Sequence, residues 1–405
     1  MWPSPWLLTS RPVALCAWLA LFAGVIGVIA VRCDKPSERR VAIRVACTDC
    51  ALVESVALDT WSDQRAEGMP LDVVVRAKSL PVLAEAGVRW EVIVPDIDEA
   101  ARAERQRLQS SETVDGDWFA EYRDYTAISA HLEALVAHHP DLATLHGIGS
   151  TLDGRPIWAL RIGGGATPML INGTQHAREW IAAMVTTCVA DRLITEYDRD
   201  PAVKRFVDGT TLWVVPVVNP DGYQYSWSTD RYWRKTRRGG FGVDLNRNFA
   251  VGYGGGGSSG SKRSIVYRGE YAFSEPESAA LRDLALREKI ALHVDFHSYG
   301  QLVMYPWMYS SARVPDRDRF AAVGDRMASA MFAAHETRYR LVSGVETSPT
   351  GGTMTDWMYG EAHALSFTVE LRPRGGSGFV LPPEQIRPTC DEGLAAVLAL
   401  RSAQP

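Results

Sequence analysis

Blocks of like charge are missing from this chain of 405 residues, whose 22% charged residues sum to a formal net charge of −5. A nucleic-acid partner would need a basic patch or stripe, so that class of partner is unsupported. Cysteine is sparse, at six residues (Cys16, Cys33, Cys47, Cys50, Cys188 and Cys390), and the pair Cys47-Thr48-Asp49-Cys50 has no second CxxC to complete a thiolate site. It reads as a local bridge ahead of a metal or redox centre. Cys188, mid-helix on an apolar face, and Cys390, near the C-terminal helix, read as buried free thiols. The glycine-rich run 252–261 lacks the Lys-Ser/Thr pair and following helix of a phosphate cradle, and is a flexible loop. No internal repeat is present.

Against these absences stands a long apolar run. Residues 13–31 carry no charge over 19 positions, between Arg11 and Arg32. The run is long for a signal-peptide core and just long enough for one membrane span, and Val28-Ile29-Ala30 offers a cleavage site. The expectation is export, secreted or periplasmic, with residues 1–33 either cleaved or retained as an anchor. Arg32 argues against a lipid on Cys33. An exported chain is permitted disulfides.

The most informative segment is Asn172-Gly173-Thr174-Gln175-His176-Ala177-Arg178-Glu179-Trp180. Before it, 168–171 is a short apolar run ended by turn-forming Asn172-Gly173, a buried strand. After it, Trp180, Ile181, Met184, Val185, Cys188, Val189 and Leu193 recur at helical spacing. His176 and Glu179 thus lie three apart where a helix begins, a spacing that suits two ligands of one zinc ion. A catalytic zinc takes three protein ligands and keeps a fourth position open. The third comes from Ala291-Leu-His293-Val-Asp295-Phe-His297, a strand-like run with 293, 295 and 297 on one face. His297 is the better candidate, because ligands gather outside the carboxyl ends of strands in open α/β sheets. His293 lies deeper, as a hydrogen-bonded structural histidine. The remaining histidines at 131, 138, 139, 146, 335 and 363 belong to no such constellation.

In the same order along the chain come Tyr232-Trp-Arg234-Lys-Thr-Arg237, Val243-Asp244-Leu-Asn246-Arg247-Asn248, Phe296-His297-Ser-Tyr299 and Phe367-Thr-Val-Glu370-Leu-Arg372. With the His176 segment, these motifs resemble the zinc metallocarboxypeptidases of the carboxypeptidase A/B family over about residues 117–401. The resemblance implies one Zn2+ per chain on His176, Glu179 and His297. It makes Glu370 the base for the water that zinc activates, Arg234 the oxyanion stabiliser and Asp244 the carboxylate orienting His176. It also gives Asn246 and Arg247 as the clamp on a free C-terminal carboxylate, with Arg178 and Tyr299 as further substrate contacts. The chemistry agrees: an exopeptidase must read a carboxylate, for which a guanidinium fork is the most specific partner. Out of context, Arg234 would be one member of a solvated basic loop with Arg231, Lys235, Arg237 and Arg238.

Two positions near the end of the chain bear on affinity and preference. The family's mobile tyrosine falls at Ser348, so the resemblance does not extend to that tyrosine's closure over substrate. Thr355 matches the base of the family's side-chain pocket, and its neutrality favours apolar or neutral C-terminal residues over Lys or Arg.

The expected fold is α/β: a mixed, mostly parallel sheet of eight-stranded type with helices on both faces, preceded by a small ferredoxin-like α/β propeptide. Strand-like runs at 157–162, 168–171, 211–218, 292–296 and 366–371 alternate with helical 275–289 and 384–400. A helix with Ile128, Leu132 and Leu135 on one face opens the catalytic domain (117–405), capped by Thr126. The unit 34–108 carries strands near 40–46, 72–75 and 90–94 and a helix at 80–86, followed by a polar linker at 109–116. By resemblance it is an activation domain, with Arg102, Arg105 and Arg107 open to an activating protease. The substrate would be a peptide or protein C-terminus and the enzyme a monomer. The alternatives are a silent binder of peptide C-termini and a carboxypeptidase for cell-wall peptides.

Overall fold

The computed structural model describes residues 38–46, 50–62, 70–110, 116–346 and 349–402. The apolar run 13–31, Cys16, Cys33, Cys47 and Ser348 lie outside them. Among the described residues, no helix is long and apolar enough to cross a membrane.

Four strands form a small antiparallel sheet in the order β2-β3-β1-β4: β1 (Arg40–Val45), β2 (Ala57–Thr60), β3 (Leu71–Arg76) and β4 (Trp90–Val94). Alternation in β1 explains its burial. Val41, Ile43 and Val45 pack with Val73, Val75 and Leu83 in the unit's own core. The opposite face, Ala42 and Val74 with Trp61 and Ile97, packs against Tyr232 and Phe379 of the larger part. β2, whose residues are half-buried or exposed, and the helix Ala51–Val56 were not legible in the sequence.

Eight strands build the large sheet: β5 (Ala143–Ser150), β6 (Pro156–Ile162), β7 (Thr167–Gly173), β8 (Thr210–Val215), β9 (Leu292–Ser298), β10 (Leu302–Tyr305), β11 (Arg340–Ser343) and β12 (Leu365–Leu371). Their order is β11-β10-β12-β9-β7-β8-β6-β5. The central run β12-β9-β7-β8 is parallel, flanked by antiparallel neighbours. The fold is therefore the mixed, mostly parallel α/β sheet expected. Met169 and Ile171 of β7 face a core with helices Tyr125–His138, Trp180–Thr195 and Ile386–Ser402. Leu170, between them, faces the core made with Pro276–Glu288 and Met354–Gly360.

Two expectations are corrected. The helix at 125 is capped by Asp124, whose carboxylate accepts from the Ala127 N–H at 2.8 Å, so Thr126 lies inside the first turn. Cys188 and Cys390 are bonded to each other, 6.0 Å apart at Cα and 202 residues apart in sequence. The bridge ties the central helix Trp180–Thr195 to the last helix. Cys50 is likewise half of a disulfide. Closing so long a loop should stabilise the fold by on the order of 2–5 kcal/mol. A Cys188→Ala/Cys390→Ala double variant is thus expected to melt well below the oxidised protein, and equal melting would show the bridge to be inert.

Candidate metal centre and active site

Strand β7 ends at Gly173, where a Cβ would lie 2.5 Å from Thr186 Oγ1 and 2.9 Å from the Ala182 carbonyl oxygen. Glycine thus lets the helix Trp180–Thr195 come close to the strand end, and the intervening loop holds His176 and Arg178 inside the protein. Glu179 occupies the position just before that helix. His297 lies near the carboxyl end of β9, with Glu370 of β12 directly beside it in register.

His176, Glu179 and His297 are buried, each offering a ligand atom within 4.8 Å of the others. Nδ1 of His176 is 2.7 Å from Glu179 Oε1, Nδ1 of His297 is 3.0 Å from Glu179 Oε2, and the two Nδ1 atoms are 3.1 Å apart. The other ring nitrogens face carboxylates: Nε2 of His176 is 3.2 Å from Asp244 Oδ1, and Nε2 of His297 is 3.0 Å from Asp295 Oδ2. Donation of Nε2–H to those carboxylates leaves both Nδ1 lone pairs aimed at each other and at Glu179. Such an arrangement needs a cation at its centre. The electrostatics agree: burial lowers the His297 pKa, but Asp295 and Glu179 hold it well above the ordinary 6.5. This donor set, two imidazoles and a carboxylate, fits a catalytic zinc. Asp295 is in turn fixed by Asn172 at 2.7 Å and Gln175 at 2.6 Å. His293 is deep in the sheet, bonded to Ser366 and Asn172, and burial pushes its pKa down to about 4.

Asp244 joins this centre to the arginines. Its Oδ2 accepts from Arg234 Nε at 3.1 Å and Nη2 at 2.8 Å, and its Oδ1 also accepts from the Asn246 N–H at 3.1 Å. Burial would raise its pKa, yet Arg234, Arg247 and His176 hold it well below the usual carboxylate range. Arg234 is therefore buried and paired with Asp244, not part of a solvated loop. Arg247 donates from Nε to the Gly257 carbonyl and from Nη1 to that of Asn246, both at 2.8 Å. Gly352 is required behind it, since a Cβ there would lie 2.3 Å from the Arg247 carbonyl oxygen. Asn246 Oδ1 accepts from the Met354 N–H at 2.9 Å, which fixes the helix that carries Thr355. Thr355 Oγ1 lies 2.5 Å from Thr368 Oγ1 of β12. The adjacent Asp356 carboxylate is engaged by the N–H groups of Met308 and Tyr309, while burial pushes its pKa up to about 7.

Arg178 and Tyr299 face a different partner. Arg178 donates to Asp59 Oδ2 at 2.6 Å and to the Thr60 carbonyl at 3.0 Å, with its guanidinium 4.3 Å from the Phe379 ring centroid. The Tyr299 hydroxyl donates to Asp72 Oδ2 at 2.8 Å, and Asp72 is held by both arms of Arg44 at 2.7 Å. Trp61 stacks on Tyr232 at 5.2 Å, and Glu104 forms a buried ion pair with Arg231. The small sheet and the helix Ile97–Ser110 thus lie over these side chains. Asp59, Asp72 and Glu104 had no sequence signal, because nothing local distinguishes a carboxylate whose partner, Arg178, Tyr299 or Arg231, lies more than 100 residues away. Asp295 did offer one, two residues before His297 on the same strand face.

Geometry of this kind defines a mononuclear metallohydrolase. The chain belongs to the zinc carboxypeptidase family, whose model matches residues 128–396, and it is a metallocarboxypeptidase. It is 32% identical to rat carboxypeptidase A1 over 366 residues, covering 86% of this chain and 87% of that protein. It is 34% identical to bovine carboxypeptidase B over 326 residues, 78% of each. Among solved structures, thrombin activatable fibrinolysis inhibitor superposes with a TM-score of 0.82 at 29% identity, over 90% of this chain and 98% of that one. Carboxypeptidase A from Helicoverpa armigera does so with a TM-score of 0.81 at 25% identity, over 91% and 98%.

Proposed function

We propose that this protein is an exported, monomeric zinc exopeptidase, made as a zymogen, that removes C-terminal residues with neutral or apolar side chains. The observation that carries the reading is a cation-demanding trio, His176, Glu179 and His297, linked through Asp244 to buried Arg234. A zinc ion held by that trio supplies Lewis acidity toward a peptide carbonyl and lowers the pKa of water.

The remaining chemistry belongs to the chain's own side chains. Glu370, beside His297, takes the proton from the attacking water and delivers it to the leaving amine. Arg234, held in place by Asp244, faces the charge that develops on the carbonyl oxygen. Arg247 and Asn246 hold the substrate's free carboxylate, and the backbone bonds of Arg247 orient its planar fork in advance. The pocket reading rests on Thr355, whose hydroxyl is matched by that of Thr368. The neighbouring Asp356 is committed to backbone N–H groups, which leaves it unsuited to a basic substrate side chain.

Latency is supported by the small sheet, which sets Asp59 on Arg178 and Asp72 on Tyr299. Of the candidate cleavage points, Arg107 is ion-paired to Glu121 and Arg102 is ion-paired within its helix to Glu99. Export is supported by the Cys188–Cys390 bridge, since disulfides persist in oxidising compartments.

The test is to compare the intact chain with one nicked by trypsin between 102 and 107. The nicked chain is expected to hydrolyse a C-terminal phenylalanine peptide at least ~10-fold faster, with unchanged zinc content. Equal rates would make the small unit a folding or targeting module.

A further inference from the structure

A cleft of about 510 Å³ opens at the free edge of the large sheet, with Gly300, Gln301, Arg338, Arg340 and Arg374 among its lining residues. Three guanidinium groups line this one space, and Asp325 is the one carboxylate among the lining residues. None of the three has a carboxylate partner within the described residues. Arg372, two residues from Arg374, shows the contrast: it is spent on Glu392, Gln385 and Thr337. Arg338 also lies over the ring of Phe332, 4.8 Å from its centroid. In a chain of net charge −5, this is a local concentration of planar donors suited to carboxylates.

The cleft adjoins the reaction centre. Gly300 directly follows Tyr299, and a Cβ on it would lie 3.6 Å from that of Glu370. The Gly300 and Gln301 N–H groups are tied to the Leu371 carbonyl, and Arg340 donates its N–H to Gln301, so the arginine-bearing edge is fixed to the strand that holds Glu370. An extended peptide advances about 3.3–3.6 Å per residue. A few residues upstream of the bond being cut are enough to leave Glu370 and pass Gly300.

We infer that this cleft is a subsite for the substrate chain, taking aspartate or glutamate side chains a few residues before the scissile bond. The inference rests on the carboxypeptidase reading and adds a substrate class to it: proteins and peptides with acidic C-terminal tails ending in a neutral residue.

The test uses the trypsin-nicked full chain, a blocked dipeptide too short to reach the cleft, and hexapeptides in which one Glu is moved from the third to the sixth residue from the C-terminus, each with its Gln counterpart. At low salt, at least one register is expected to favour Glu by about 5- to 20-fold in kcat/KM, mainly through KM, with the advantage fading in high salt. Arg340→Gln/Arg374→Gln should abolish that advantage and leave dipeptide hydrolysis unchanged, which also reports that the variant is folded. Should that variant fail to fold, the salt and register dependence of the wild-type protein decides alone. Equal turnover of Glu and Gln peptides in every register, or an advantage that survives in the folded variant, overturns the inference while the carboxypeptidase reading stands. A wild-type protein that leaves the dipeptide uncut overturns both.

Discussion

Glu370→Gln is expected to lower kcat by on the order of 10²–10⁴ while zinc content and KM stay close to those of the unaltered protein. Strand β12 sets Glu370 beside His297 in register, next to the metal centre and at a strand end where a bound peptide can be reached. Glutamine keeps the shape and loses the basicity, so the change removes proton transfer. That corresponds to about 3–5 kcal/mol of transition-state stabilisation. Steady-state kinetics on the nicked chain with metal analysis in parallel decide the matter. A near-normal kcat would remove Glu370 from the role of base, and a fall in kcat accompanied by lost zinc would make it a metal-site residue instead.

The second large effect concerns the metal. His297→Ala or Glu179→Gln is expected to take bound zinc from one equivalent per chain to little or none, with activity lost in proportion. The second ring nitrogens of His176 and His297 are committed to Asp244 and Asp295, so neither imidazole can turn to replace a lost ligand. Asp295→Asn should weaken zinc binding by about 10- to 100-fold without abolishing it, because an amide supports the His297 ring less strongly. Full zinc retention in both ligand variants would sink the assignment.

What was legible in the sequence follows what was local. His176 and Glu179 could be paired because three residues separate them at the start of a helix, and His297 because it ends a strand. The parallel sheet was legible from apolar runs alternating with amphipathic stretches. Contacts between distant segments were not. Cys188 and Cys390 lie 202 residues apart, and nothing near either one marks the other. Asp59 and Asp72 look like ordinary strand carboxylates until the small sheet is folded against Arg178 and Tyr299. Asp124 took the cap from Thr126 because both residue types serve, and the choice is made by packing around the first turn.

Recognition of the free C-terminus is the central claim, and one comparison tests it most directly: hydrolysis by the nicked chain of a peptide ending in a free carboxylate against the same peptide amidated. Arg247 and Asn246 are buried and held by backbone hydrogen bonds, which supports the proposal that they clamp the substrate carboxylate. The amidated form is therefore expected to lose at least ~10²-fold in kcat/KM, as for an interaction with a charged group left unmade. Arg247→Ala should narrow that gap by slowing the free acid alone. Equal turnover of the two peptides by the unaltered protein would contradict the account and point to an endopeptidase.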